Sequence, residues 1–313
     1  MIRPRAAAST YWLGRYLERI DATVRVLEVQ IDASVQHRSG LPSAALANSL
    51  GIAIPEQLAS RDDLVRLLLT DPAVPGSVPF CAAMALADAR DVRDLLTSEL
   101  FEAINATARA IANTARTAST IPWARVLATG RDVHSRVATC FGLCEMTLAR
   151  DGYWALFGIG SSIERVEMTA RILGAWRAHA STEEDWHTLL RSVGSLEIHL
   201  RRHGIRGSTP HRVLSDLVGA LDNPRAIAFG LNEVARRARL LPRSLVGARV
   251  AKTAAELAHE LHRTPERIGT RSGEVAALEA SRTLHHLIET TIALPSQPPR
   301  WQLSDQLASE VTR

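Results

Sequence analysis

The chain has 313 residues, 46% of them hydrophobic and 22% charged, with a formal net charge of +4. Such a balance excludes an intrinsically disordered chain and supplies enough apolar mass for a sizeable core. The basic excess raises the question of nucleic acid or anionic lipid. However, the arginines are interleaved with almost as many acids, and the densest clusters, Arg201–Arg202 with Arg206 and Arg236–Arg237 with Arg239, are short. They read as solvated helix faces, so neither nucleic acid nor a membrane is expected as a partner. The single lysine, Lys252, points to a coding bias toward arginine rather than to a selected surface.

Aromatic residues make up only 4% of the chain, which leans composition toward helix. In chain order, Leu13, Leu17, Ile20, Val24 and Leu27 mark a 3.6-residue apolar stripe, predicting a helix over 9–37. Gly40, Pro42, Gly51 and Pro55 break it, and a short helix is expected over 62–69. A long helix follows over 77–118, with a kink near 97–99, and then one from Pro122 to Arg150, stopped by Asp151-Gly152. Helices are predicted over 153–180 and, opened by a capping box at Ser181-Thr-Glu-Glu184, up to His203. Further helices are expected over 211–221, 225–241, 245–263 and 273–294, before Pro295, Pro298 and Pro299. No strand pattern stands out. The fold class is therefore all-α, with the folded region spanning 1–295 and a C-terminal tail over 296–313.

An internal repeat carries more information than the periodicity. The run from Gly14 to Leu27 matches the run from Gly160 to Leu173 at a constant offset, with Gly, Glu, Arg, Thr, Arg and Leu identical. A weaker echo pairs Pro75, Val78 and Phe80 with Pro224, Ile227 and Phe229 in the same order. Duplication of one helical unit, giving repeats over about 6–150 and 151–295, is the simplest account. Within each copy, the spacing stacks an acid, a second acid and an arginine: Glu18, Asp21 and Arg25 in the first, and Glu164, Glu167 and Arg171 in the second. Arg19 and Arg165 line the adjacent face. The apolar stripe is expected opposite this column, as on an ordinary amphipathic helix. A solvated ion pair drifts freely after duplication, because it contributes little stability. Retention of Glu18–Arg19 as Glu164–Arg165, while Arg15 and Tyr16 have become Ser161 and Ser162, therefore points to a constraint. One reading is a charge-assisted hydrogen-bond network between the copies. The other is a polar site at their pseudo-twofold axis.

These residues also carry a family resemblance. Tyr11-Trp-Leu-Gly-Arg-Tyr-Leu-Glu-Arg19 resembles the opening signature of the Alpha-E family, and Gly152-Tyr-Trp154 followed by Glu164–Arg165 resembles its second signature. The stretches from Pro75 through Ala89-Arg90 and Arg93-Asp94, Glu99-Leu-Phe101 to Asn105, and Asp222-Asn-Pro-Arg225 to Phe229 are similar to its intervening segments. The likeness spans roughly 6–295. Ser161, Ser162, Leu86 and Ala87 stand where the family usually has charged or aromatic residues. The resemblance implies an all-helical domain without an established activity. It also implies an association with ATP-grasp ligase-like and transglutaminase-like proteins in an amide-forming or peptide-modifying system.

Other chemistry is weak in the sequence. Cys81, Cys140 and Cys144 form an odd, small set that suits a reducing cytoplasm. Cys140 and Cys144 share a helix face, but no second ligand pair stands at zinc spacing, so they read as small buried side chains. Glu184-x-x-His187 and Glu256-x-x-His259 have the form used in di-iron bundles. Glu184 is instead assigned to the capping box, and His259 to an exposed polar face. No phosphate loop or catalytic triad spacing is seen. The sequence thus leads to the expectation of no metal and no cofactor, and it fixes no oligomeric state.

Overall fold

The computed structural model describes residues 2–36, 40–52, 60–116, 123–241 and 245–263. The helix expected over 273–294 and the tail over 296–313 lie outside the described residues. Twelve α-helices and no strand occur among those described. They are α1 (Pro4–Val35), α2 (Ser43–Leu50), α3 (Arg61–Thr70), α4 (Val78–Asp91), α5 (Ser98–Ala115) and α6 (Trp123–Thr147). The second half holds α7 (Gly152–Arg177), α8 (Glu183–Val193), α9 (Leu196–His203), α10 (Pro210–Leu214), α11 (Ile227–Ala238) and α12 (Leu245–Arg263). None of the described helices is long and apolar enough to cross a membrane.

Local chemistry sets the boundaries. The helix predicted over 77–118 is two helices: α4 ends at Asp91, a 3-10 turn covers Arg93–Leu95, and Thr97 caps the N-terminus of α5 by accepting from the amide of Leu100. A side chain that satisfies an otherwise orphaned amide makes a clean helix start, which a kink does not need. The expected helix to His203 is also divided. Gly194, at φ 72°, ends α8 in the left-handed conformation that glycine adopts without a Cβ penalty. The capping box there is formed by Thr182 and Asp185, one residue later than predicted, and Glu184 pairs with Arg191 instead. α2 falls where only a break was expected. The helix predicted over 211–221 is a short α-helix continued by a π-helical turn, Ser215–Gly219.

Packing places α1 and α7 at the centre. α1 lies most extensively against α7 and also contacts α4, α6 and α8, while α7 is further covered by α2 and α11. α12 packs on α11 at one flank. The amphipathic reading of the first helix is corrected by this arrangement. Its apolar positions Leu13, Leu17, Ile20 and Leu27 are buried, but so are Arg15, Glu18, Arg19 and Asp21 on the other faces. A helix surrounded on all sides has no solvated face to reserve for charge.

The three cysteines are free and buried. Burial pushes the thiols of Cys81 and Cys144 up to about 12 and that of Cys140 to about 11. Only the thiolate is reactive, so none of the three should be modified by Ellman's reagent in the native protein at mildly alkaline pH, and all three should be released by denaturant. Reaction of any thiol before unfolding would contradict this packing.

A buried glutamate–arginine centre

Two glycines set the geometry of the crossing between α1 and α7. A methyl group on Gly14 would run into the backbone carbonyl of Phe157, and one on Gly160 into that of Tyr11. The next atoms met are the amides of Ser161 and of Arg15, respectively, 3.2 and 3.3 Å away. The contact is thus reciprocal at the offset seen in the sequence, and both backbones approach at the glycine that the two matching runs share. Such closeness brings charged side chains one and two turns farther along each helix onto the opposite helix.

On one side of the crossing, the carboxylate of Glu164 accepts from Arg15 Nε at 2.7 Å and from Arg19 Nη1 at 2.6 Å. Arg15 also donates to Glu167 at 2.6 Å, and Glu167 accepts from Arg171 one turn along. Arg19 uses its Nη2 to donate to the carbonyl of Leu50 at 2.6 Å. That carbonyl ends α2, where the helix offers no partner of its own. The side chains of Arg15 and Glu164 are both 0% exposed. Burial alone would lower the Arg15 guanidinium, yet Glu164, with Tyr11 and Glu167, raises it above its ordinary value.

On the other side, Arg165 holds Glu18 with a fork, from Nε at 2.8 Å and from Nη2. Arg225 bridges Glu18 at 3.1 Å and Asp21 at 3.2 Å. Asp21 also accepts from Arg25 at 3.3 Å and meets His134 of α6. Burial opposes ionisation of Asp21, but the hydrogen bond from His134 and the charges of Arg225 and Arg25 hold its carboxyl well below the usual range. Arg225 is crowded by cations: burial, together with Arg165 and Arg25, lowers it despite Glu18 and Asp21. Gly194 lies against Arg25, with 3.0 Å between its Cβ position and Arg25 Cζ, as Gly51 lies against Arg171. Both glycines have positive φ and end a helix.

All eight motif residues therefore converge: Glu18, Arg19, Asp21 and Arg25 from α1, and Glu164, Arg165, Glu167 and Arg171 from α7. Two details differ from the sequence reading. Arg25 pairs with Asp21 four residues back, because an i,i+4 partner is within direct reach. The glutamates pair across the crossing, Glu18 with Arg165 and Glu164 with Arg19. Arg15, His134 and Arg225 also belong to the centre and were not singled out. Arg225 had a signal, since it follows Pro224 in the weaker echo, where a Cβ on Gly76 of the first half would lie 3.5 Å from Arg19 Nε. A cavity of about 280 Å³ opens elsewhere, between α1 and α8, lined by Val29, Asp32, Glu184, Thr188 and Arg191 among others; none of the motif residues lines it.

The Alpha-E family model, described as a predicted alpha-helical domain with a conserved ER motif, matches residues 2–297 of the chain. No curated protein and no solved structure matches it.

Proposed function

Because the chain belongs to the Alpha-E family, we propose that it is a non-catalytic helical partner of an ATP-grasp amide ligase and a transglutaminase-like protein, and that its Glu-Arg motifs are the structural rivet of that partner. One observation carries the structural half of this reading. Both oxygens of the fully buried Glu164 are occupied by Arg15 and Arg19, so its carboxylate is spent on holding α1 against α7. A general acid or base needs a titratable group that faces a substrate. The partner half rests on the family resemblance. The reciprocal contacts of Gly14 and Gly160 and the crossed Glu-Arg pairs also support duplication of one unit as the origin of the fold.

A second reading, in which the Glu18 side is a polar active or docking site, has one observation in its favour. The side chains of Arg25, Arg165 and Arg225 are each about a fifth exposed, whereas Arg15 and Arg19 are sealed. Co-expression with the ATP-grasp-like and transglutaminase-like proteins of the same genome, followed by size-exclusion chromatography, tests the proposal. Co-elution that survives Arg225→Gln is expected. Absence of any complex, or amide-forming activity of the chain alone that Arg225→Gln abolishes, would overturn the partner reading.

A further inference from the structure

We propose that His199, His203 and Asp216 form a binding site for one divalent transition-metal ion of the zinc class. The site lies apart from the Glu-Arg centre, on α9 and the segment after α10. His199 and His203 are four residues apart on α9, so both imidazoles leave the same helix face, with ring centroids 4.7 Å apart. The π-helical turn Ser215–Gly219 brings Asp216 beneath them. Such turns are rare and concentrate at functional positions, since the extra residue per turn re-aims a side chain. Asp216 Oδ2 lies 2.7 Å from His199 Nδ1 and 3.2 Å from His203 Nε2. The three donor atoms all fall within 4.8 Å of one another. Bonds of about 2.0–2.2 Å from an ion to nitrogen and oxygen place donors around one centre at roughly 3–4.4 Å from each other, so only a small spreading of the trio is required.

The surroundings are those of a supported ligand set. Arg202 donates to the other oxygen, Asp216 Oδ1, at 2.6 Å and so fixes the carboxylate plane. Asn223 donates to the Asp216 carbonyl and to Ser195 Oγ, both at 2.8 Å. His262 of α12 anchors the end of the π turn through the Gly219 carbonyl at 2.8 Å. Partners of this kind orient metal ligands and raise affinity. His199 is sealed in the fold, its side chain 0% exposed, with Nδ1 held toward Asp216 Oδ2. Neutralising one buried carboxylate needs one cation, and Arg202 already supplies it; two further imidazoles on the same oxygen exceed that need. Two nitrogens and one oxygen suit zinc, cobalt or nickel rather than calcium or magnesium, which require mostly oxygen. With three protein ligands, a fourth position remains for water or for an oxygen of a bound molecule. His203, 24% exposed, marks the approach to the ion.

The test uses tag-free full-length protein stripped with a chelator and titrated with Co2+ and then Zn2+, followed by calorimetry and the visible absorption of cobalt. The expected result is one equivalent of Co2+ with a ligand-field spectrum, displaced by one equivalent of Zn2+. His203→Ala, chosen because its side chain is the most exposed of the three, should weaken binding at least about tenfold with unchanged circular dichroism. His179→Ala, on an exposed histidine outside the set, should leave it unchanged. Absence of stoichiometric binding to the folded wild-type chain, or affinity unaffected by His203→Ala, would overturn the proposal.

Discussion

Gly14→Ala and Gly160→Ala will each destabilise the protein by about 2 kcal/mol or more, although alanine is the better helix former. In an exposed helix the exchange of glycine for alanine is worth up to about 1 kcal/mol in favour of alanine. At these two positions the added methyl meets a backbone carbonyl of the opposite helix, at Phe157 and Tyr11. A backbone atom cannot rotate away as a side-chain tip can, so α1 and α7 must separate along the crossing. Overpacking of this kind costs about 1–3 kcal/mol and occasionally more. Separation also lengthens every cross-helix ion pair, which adds to the loss. Gly142→Ala supplies the control. It lies exposed on α6 with nothing within 4 Å of its Cβ position, so there the helix preference acts alone and stability should rise by about 0.5–1 kcal/mol. Chemical denaturation of the three variants measures all of this. Equal or greater stability of Gly14→Ala would show that the crossing is not as close as described.

The same two helices show how much the sequence could disclose. Period and composition were enough for an all-helical fold, since apolar residues recur at helical spacing and strand formers are scarce. Helix 245–263 is found with the predicted ends. Boundaries failed where a single hydrogen bond or a single backbone angle decides, as at Thr97 and Gly194, because hydrophobic period is insensitive to both. The convergence of the eight motif residues was legible through the match between the two runs, 14–27 and 160–173. Their pairing was not, because a helical wheel orders neighbours within one helix and is silent about the helix packed against it. For the same reason the burial of α1 on every face departs from the amphipathic expectation: a wheel sets Glu18 and Asp21 apart from the apolar stripe, and only the partners packed against that side close it. His134 and Arg225 come from elements with no echo of the motif, or only a weak one. The His199, His203 and Asp216 cluster depends on a π turn, for which sequence spacing offers no signature.

Glu164→Gln will cost roughly 3 kcal/mol or more, and Glu18→Gln distinctly less. Glu164 is flanked by two arginines that are themselves sealed: the side chains of Arg15 and Arg19 are 0% and 1% exposed. Removing its charge leaves two buried guanidiniums facing a neutral amide, and the contacts they keep, among them Glu167 for Arg15 and the Leu50 carbonyl for Arg19, do not replace a carboxylate held between both. Breaking one member of a buried pair typically costs about 3–5 kcal/mol, because the remaining charge cannot be hydrated. Glu18 is as buried as Glu164, but Arg165 and Arg225 reach solvent with about a fifth of their side-chain surface. Water can take over part of what Glu18 supplied, and Arg225 keeps Asp21. An exposed pair such as Arg3–Asp94 marks the other extreme; its loss should fall below about 1 kcal/mol. Urea denaturation of the single variants, and of a cycle combining Glu164→Gln with Arg19→Gln, reads these differences and the coupling between the partners, expected at about 1–3 kcal/mol. A loss below about 1 kcal/mol for Glu164→Gln would end the structural reading of the motif. Unchanged stability combined with lost binding of the proposed ATP-grasp-like partner would transfer the motif's role to docking.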